Sequence, residues 1–282
     1  MQAVEFVTDW IKLWCELVEA QHEGWQVEGQ VDADVWRAKA RAYHETVMRR
    51  WATPDSSRDF IAADLNLHSN DTVIDVGAGS GSWTVFLARM VRHVTAIDPS
   101  PAMLEVLHEN VAAASLSNVS IMEGGWMQVN VAPHDVVLCA HAIYGTADIQ
   151  AFVKKMEAAA RRRCYLLLRT PLPNGVMAEA ACHIWGQPYD SANFQVAYNA
   201  LLQMGICANV LFEDSGCWQP WTNASLDEAL ADVKRRFALQ DSSEHDVFLR
   251  DLLDRRLVRE QGQLVWPGAT RSALVYWDVR AS

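Results

Sequence analysis

A chain of 282 residues, half of them apolar, can bury a sizeable core as one large domain or as one domain with a helical appendage. Its formal net charge of -11 argues against a phosphate backbone as partner, and the basic clusters Arg161 to Arg163 and Lys234 to Arg236 are expected to be solvated helix ends. Six cysteines without a C-x-x-C pair suggest neither a zinc ribbon nor a disulfide framework, so no metal and a reducing cytoplasm are expected.

The opening MQAVEFVTDWIKLW carries Glu5 and Asp9 within its apolar run and lacks the basic start of a secretory signal. No uninterrupted apolar stretch approaches ~18 residues, so no membrane span is expected. Over residues 4–21, Phe6, Val7, Trp10, Trp14, Leu17 and Val18 recur at spacings of three and four, which predicts an amphipathic helix. That stripe must pack on the main domain or pair with a second copy, so a homodimer through this helix is one expectation. A second helix is predicted in DADVWRAKARAYHETVMRRW, capped by Asp32 or Asp34 and closed before Pro54.

From Ser57 the rhythm changes. Helices over 58–65, 83–91, 101–114 and 149–160 alternate with the apolar runs 72–76, VTAID, VSIM, DVVLCA and CYLLLR. Near-continuous apolar strands separated by helices predict an α/β fold: a mostly parallel sheet with helices on both faces. Ligands of such sheets lie at the carboxyl ends of the strands, which nominates the segments after Val76, Ile97, Met122, Ala140 and Arg169. Further on, helices are expected near 177–185 and 193–204, a strand in ICANVLF, and helical structure over 221–258 with Ser225 and Glu228 as a capping box. RSALVYWDV has the composition of a last strand. The expected organisation is a helical cover over 1–56 and a main domain over 57–282, with a helical insertion at about 218–260.

The loop after the first strand of the sheet reads VIDVGAGSGSW, with Gly77, Gly79 and Gly81 where the backbone must turn tightly or approach a ligand. Backbone N–H groups opening a helix suit a pyrophosphate, but the dinucleotide spacing would put Ser82 in the last glycine place. Asp75 would repel a diphosphate and attract a ligand carrying an ammonium group.

The run DVGAGSG after an apolar strand, followed by Asp98 at the end of the next one, resembles the S-adenosylmethionine site of class I methyltransferases, a Rossmann-like family. The resemblance spans 57–170 in the order of elements, with 196–214 and 271–280 matching the family's last helix and antiparallel strand pair. It implies that Asp75 and the loop Gly77, Ala78, Gly79 and Gly81 lie beside the methionine part of S-adenosylmethionine. Asp98 would then bind the ribose hydroxyls, and Pro99 to Met103 would border the adenine. The third loop, EGGWMQV, departs from the family's adenine-binding acid but offers Gly125 and Trp126. WRAKARAYHETV is similar to a helix in which a tyrosine, here Tyr43, closes over the cofactor.

The fourth strand runs into CAHAIYGTAD, placing Cys139, His141 and Tyr144 at the ligand end of the sheet. Cys139 is expected beside the cofactor. His141 and Tyr144 are the catalytic candidates, for positioning an acceptor or removing its proton, although methyl transfer needs no dedicated base. No Asn-Pro-Pro-Tyr run follows this strand, which with the acidic balance favours a small-molecule acceptor over nucleic acid. Twelve tryptophans offer ring faces for a cationic or aromatic acceptor. A methyltransferase acting on a small molecule is therefore expected. The alternatives are an NAD(P)-dependent oxidoreductase, a protein or RNA methyltransferase, and a non-catalytic cofactor-binding subunit.

Overall fold

The apolar runs become strands because both of their faces are covered. In the computed structural model, which describes residues 8–26, 34, 36–172, 174–213, 220–268 and 270–279, helices α1 (Trp10–Gln26), α2 (Ala40–Trp51) and α3 (Ser56–Asn66) precede the sheet. The alternating part is β1 (Thr72–Val76), α4 (Ser82–Ala88), β2 (His93–Asp98), α5 (Pro101–Ala113), β3 (Val119–Glu123), β4 (His134–Ala140), α6 (Ile149–Ala159) and β5 (Ala160–Arg169). It is followed by α7 (Val176–Trp185), α8 (Phe194–Gln203) and β6 (Asn209–Phe212), then β7 (Thr222–Asn223), α9 (Leu226–Arg236) and α10 (Asp246–Arg256). Short strands β8 (Val258–Glu260) and β9 (Gln263–Val265) lead to β10 (Ser272–Asp278).

The main sheet has seven strands in the order β3-β2-β1-β4-β5-β10-β6. Strands β3, β2, β1, β4 and β5 run parallel, and β10 is antiparallel to both of its neighbours. The order reverses between β1 and β4, which is where open α/β sheets leave a crevice at their carboxyl edge. Pairing of Val76 with Cys139 brings the glycine loop beside the segment that carries His141.

Polar caps set the helix starts that frame this edge. Asp55 accepts from the N–H groups of Ser57 and Arg58, and the Ser100 hydroxyl accepts from Met103 N–H. At α9 the Ser225 hydroxyl accepts from Glu228 N–H at 3.1 Å, while the Glu228 carboxylate accepts from Ala224 N–H, one residue before the cap.

The stripe of α1 is used within the chain. Trp14, Leu17 and Val18 join the core cluster that includes Val196 and Ala197 of α8, and Trp14 Nε1 donates to Thr146 O at 2.9 Å. Phe6, Val7 and Asp32 lie outside the described residues. Asp34 does not cap α2, which begins after a turn over 36–39 without a side-chain cap. Its carboxylate instead accepts from the Ser100 hydroxyl and from Ala102 N–H, stapling the chain before α2 to the start of α5.

Two expectations are corrected. Residues 221–258 are not simply helical: β7, β9 and β8 form a second, antiparallel sheet. With α7, α9 and α10 this sheet shares a separate core containing Val176, Ala180, Leu230, Val233, Leu249, Leu253 and Trp266. Nor are the basic clusters simply solvated helix ends, although Arg161 is exposed. Arg162 and Arg163 sit on β5, paired with Asp64, Asp71 and Asp278, because a strand between two neighbours points its side chains into adjoining elements. Lys234, Arg235 and Arg236 end α9, but they pair with Asp246, Asp232 and Asp190. Among the described residues no helix is long and apolar enough to cross a membrane, and no cluster of His, Cys, Asp or Glu is spaced to hold a metal ion.

Candidate active site

A cavity of about 1230 Å³ lies at the carboxyl edge of the sheet. One wall comes from the loops after β1, β2 and β3: Gly77 and Gly79, then Asp98, Pro99 and Met103, then Gly125 and Trp126. His141, Tyr144 and Arg169, at the ends of β4 and β5, line its middle strands' edge, and Met177, Trp221, Arg236 and Trp266 line it from the side of the second core. Tyr43 and Trp36 also reach the wall, with ring centroids 4.9 Å apart.

Local chemistry explains the loop. Gly77 and Gly79 have φ of +68° and +55°, the left-handed region where side chains are strained. The N–H groups of Gly77 and Ala78 both donate to Ile97 O, folding the loop back onto β2. Asp98 then ties the loop down: one carboxylate oxygen accepts from Gly79 N–H at 2.8 Å and the other from Ser100 N–H at 2.9 Å. A carboxylate offers about four lone-pair positions, so two remain for a ligand. At Gly79 a Cβ atom would meet nothing within 4 Å, so the bare backbone faces open space. Burial raises the Asp98 pKa, and the two N–H donors work against that shift.

Four expected cofactor residues are absent from the wall. Ala78 packs with Ala96, Leu104 and Leu107, and Gly81 starts α4 facing Leu107. Cys139 is wholly buried in the core, and burial pushes its thiol up to about 12. Asp75 is turned behind the loop, 1% exposed, and accepts from the Thr84 hydroxyl at 2.6 Å. The expected attraction between its charge and an ammonium group therefore has no geometric basis here. The strand's alternation aims this side chain at α4, away from the ligand edge.

Burial lifts the Asp75 carboxyl to about 7, against the hydrogen bond from Thr84. A carboxyl that holds its proton more tightly folded than unfolded loses stability as pH rises from its unfolded value of 3.8 through about 7. Asp75→Asn keeps an acceptor for Thr84 without titrating. It is expected to gain stability relative to the unaltered chain between about pH 5 and about pH 8, read as the shift between their urea midpoints. A constant difference across that range would contradict a proton held at Asp75.

His141 adopts a φ of +59°, unusual for a non-glycine residue, with its N–H donating to Leu167 O. Its Nδ1 lies 3.4 Å from the Tyr144 hydroxyl and its Nε2 lies 3.2 Å from the Ser272 hydroxyl. A neutral ring protonated on Nε2 satisfies both contacts. Burial, with Arg50 and Arg169 nearby, holds its pKa down to about 3. The Tyr144 hydroxyl accepts from Arg169 N–H at 2.6 Å, and the Arg169 guanidinium stacks 4.3 Å from the centre of the Tyr144 ring. The two catalytic candidates thus stand together on the wall, bound to each other.

Sequence reasoning missed Gln21, Trp36, Arg169 and Arg236, all on the wall. Only Arg169 had a signal, because it ends a strand whose following segment the carboxyl-edge rule nominates.

Residues 73–163 match the family model for a methyltransferase domain. An uncharacterized protein of Haemophilus influenzae is 27% identical over 252 residues, 86% of this chain and 88% of that one. A Methanocaldococcus jannaschii protein named "Probable cobalt-precorrin-6B C(15)-methyltransferase (decarboxylating)" is 36% identical over 83 residues, 28% of this chain and 45% of that one. A Methanosarcina mazei protein named "Probable ribosomal RNA small subunit methyltransferase A" is 38% identical over 80 residues, 28% of this chain and 29% of that one. The chain thus spans less than half the length of these curated methyltransferases. In fold it resembles the YcgJ protein of Bacillus subtilis, with a TM-score of 0.53 at 15% identity over 80% of this chain and 99% of that one. Residues 73–163 thus carry a methyltransferase domain, set within the seven-stranded sheet.

Proposed function

We propose that this chain transfers the methyl group of S-adenosylmethionine to a small molecule enclosed in the cavity. The supporting observation is volume: about 1230 Å³ exceeds the ~300–1,000 Å³ that a single small ligand usually fills, leaving room for donor and acceptor together. The residues present fit the donor. Asp98 has carboxylate lone pairs left for two ribose hydroxyls, Pro99 and Met103 flank a place for the adenine, and bare backbone at Gly79 admits the methionine part. Gly125, Trp126 and Tyr43 complete that end of the cavity. Bound there, S-adenosylmethionine supplies an electrophilic methyl on a sulfonium sulfur.

What the chain supplies is position. Holding reactants in line contributes up to ~7–11 kcal/mol of the barrier. His141 stays neutral at physiological pH, and both of its ring nitrogens are engaged within the protein, so it serves as a fixed wall group rather than a base. Tyr144 is raised by burial above its ordinary pKa and likewise holds its proton. The acceptor atom must therefore be nucleophilic without help from either residue. A cavity bounded by the second core suits a compact acceptor better than a nucleic acid, as does the net charge of -11.

The test incubates the protein with methyl-labelled S-adenosylmethionine and a cell extract split into ultrafiltrate and macromolecules. Label is expected in small molecules of the ultrafiltrate. Label in RNA or protein, or none in either, would overturn the proposal.

A further inference from the structure

The cavity wall sets Arg169, Arg235 and Arg236 beside Asp98, Asp190 and Asp232. Arg169 stacks on Tyr144, its guanidinium 4.3 Å from the ring centre. Arg236 reaches the same cavity from α9, with Asp190 at 3.7 Å, a loose pair. The two guanidinium groups are close enough to repel one another, and burial together with that repulsion lowers the Arg236 pKa against the pull of Asp190. A third wall group points the same way. Gln21, 9% exposed, has no hydrogen-bond partner for its amide Nε2 among the described residues, and such a buried donor costs ~1–3 kcal/mol unless something accepts from it.

We propose that Arg169 and Arg236 form a subsite for a carboxylate on the methyl acceptor, with Gln21 as an additional N–H donor on the same wall. The inference rests on the methyltransferase reading and deepens it by naming the acceptor's class. A planar guanidinium fork matches a planar oxyanion, and a negative ligand relieves the repulsion between the two arginines. Asp190 and Asp232 share the wall, so a monoanion suits it better than a phosphate dianion. Tryptophan faces at Trp221 and Trp266, 5.6 Å apart, provide apolar cover for the rest of the acceptor. Of the cationic or aromatic acceptors for which tryptophan ring faces are expected, this subsite favours an aromatic one.

The test uses the full chain saturated with S-adenosylhomocysteine and follows thermal stabilisation by a panel of aromatic and aliphatic monocarboxylates. Each carboxylate is paired with its neutral amide and with the corresponding phosphate monoester. Carboxylates alone are expected to stabilise the protein. Arg169→Gln is expected to weaken the best carboxylate by about tenfold or more, the scale of a charge-assisted hydrogen bond, and Arg169→Lys to restore part of that loss. S-adenosylhomocysteine affinity measured in the same variants shows whether the cavity has kept its shape. A response to amides or phosphates equal to or above that of carboxylates, or no response to any of them, overturns the carboxylate subsite. So does an unchanged carboxylate affinity in Arg169→Gln. Failure of the unaltered chain to bind S-adenosylhomocysteine would instead overturn the methyltransferase reading itself.

Discussion

Asp98→Ala is expected to weaken S-adenosylhomocysteine binding by roughly 10- to 150-fold, the equivalent of ~1.5–3 kcal/mol for hydrogen bonds to a charged group. The same carboxylate holds Gly79 N–H and Ser100 N–H, so the variant also frees the glycine loop from the start of α5. Asp98→Asn separates the two effects. Its amide oxygen can still accept from one of these backbone donors, so the loop keeps part of its anchorage while the charge facing the ribose is gone. Calorimetric titration of both variants against the unaltered chain reads the affinities, and a loss below about threefold for the alanine variant would count against Asp98 as a donor ligand.

Gly77→Ala is expected to destabilise the fold by roughly 2–5 kcal/mol. A left-handed φ costs a side chain ~1–2 kcal/mol, and overpacking adds ~1–3 kcal/mol. The overlap is severe: a Cβ atom at Gly77 would stand 2.1 Å from Ala142 Cβ, inside the segment that positions His141 and Tyr144. Gly79→Ala provides the internal comparison, because Gly79 shares the positive φ but a Cβ there meets no neighbour. Denaturant unfolding of the pair should show the larger loss at position 77. Equal losses would mean that backbone conformation alone, and not contact with Ala142, decides the cost.

How much of this was legible follows from where each signal resides. The central strands announced themselves because β1, β2, β4 and β5 are buried on both faces and carry apolar runs, as in Ile74, Ile97, Leu138 and Leu166. The small sheet of β7, β8 and β9 did not, since its strands are two or three residues long and β8 is exposed throughout. Charge runs misled for a related reason. The partners of Arg162 and Arg163, at Asp64 and Asp71 upstream and Asp278 downstream, lie about a hundred positions away, and no local pattern announces a pairing of that range.

The site divides along the same line. Gly77, Gly79, Asp98, Pro99, Met103 and Trp126 follow strand ends in consecutive loops, so order along the chain is enough to find them. Asp75, Ala78, Gly81 and Cys139 are neighbours of those residues in sequence but point the other way, and side-chain direction is a property of the pleat and of the turn. Gln21, Arg169 and Arg236 come from α1, β5 and α9 and meet only when the second core folds against the sheet. No spacing within one segment could have assembled them.

The most direct test is a crystal structure with S-adenosylhomocysteine bound. It should show the ribose hydroxyls on the Asp98 carboxylate and an unfilled remainder of the cavity bounded by Arg169 and Arg236. A nucleoside lying elsewhere, or a product that fills the whole cavity and leaves no acceptor space, would contradict the account.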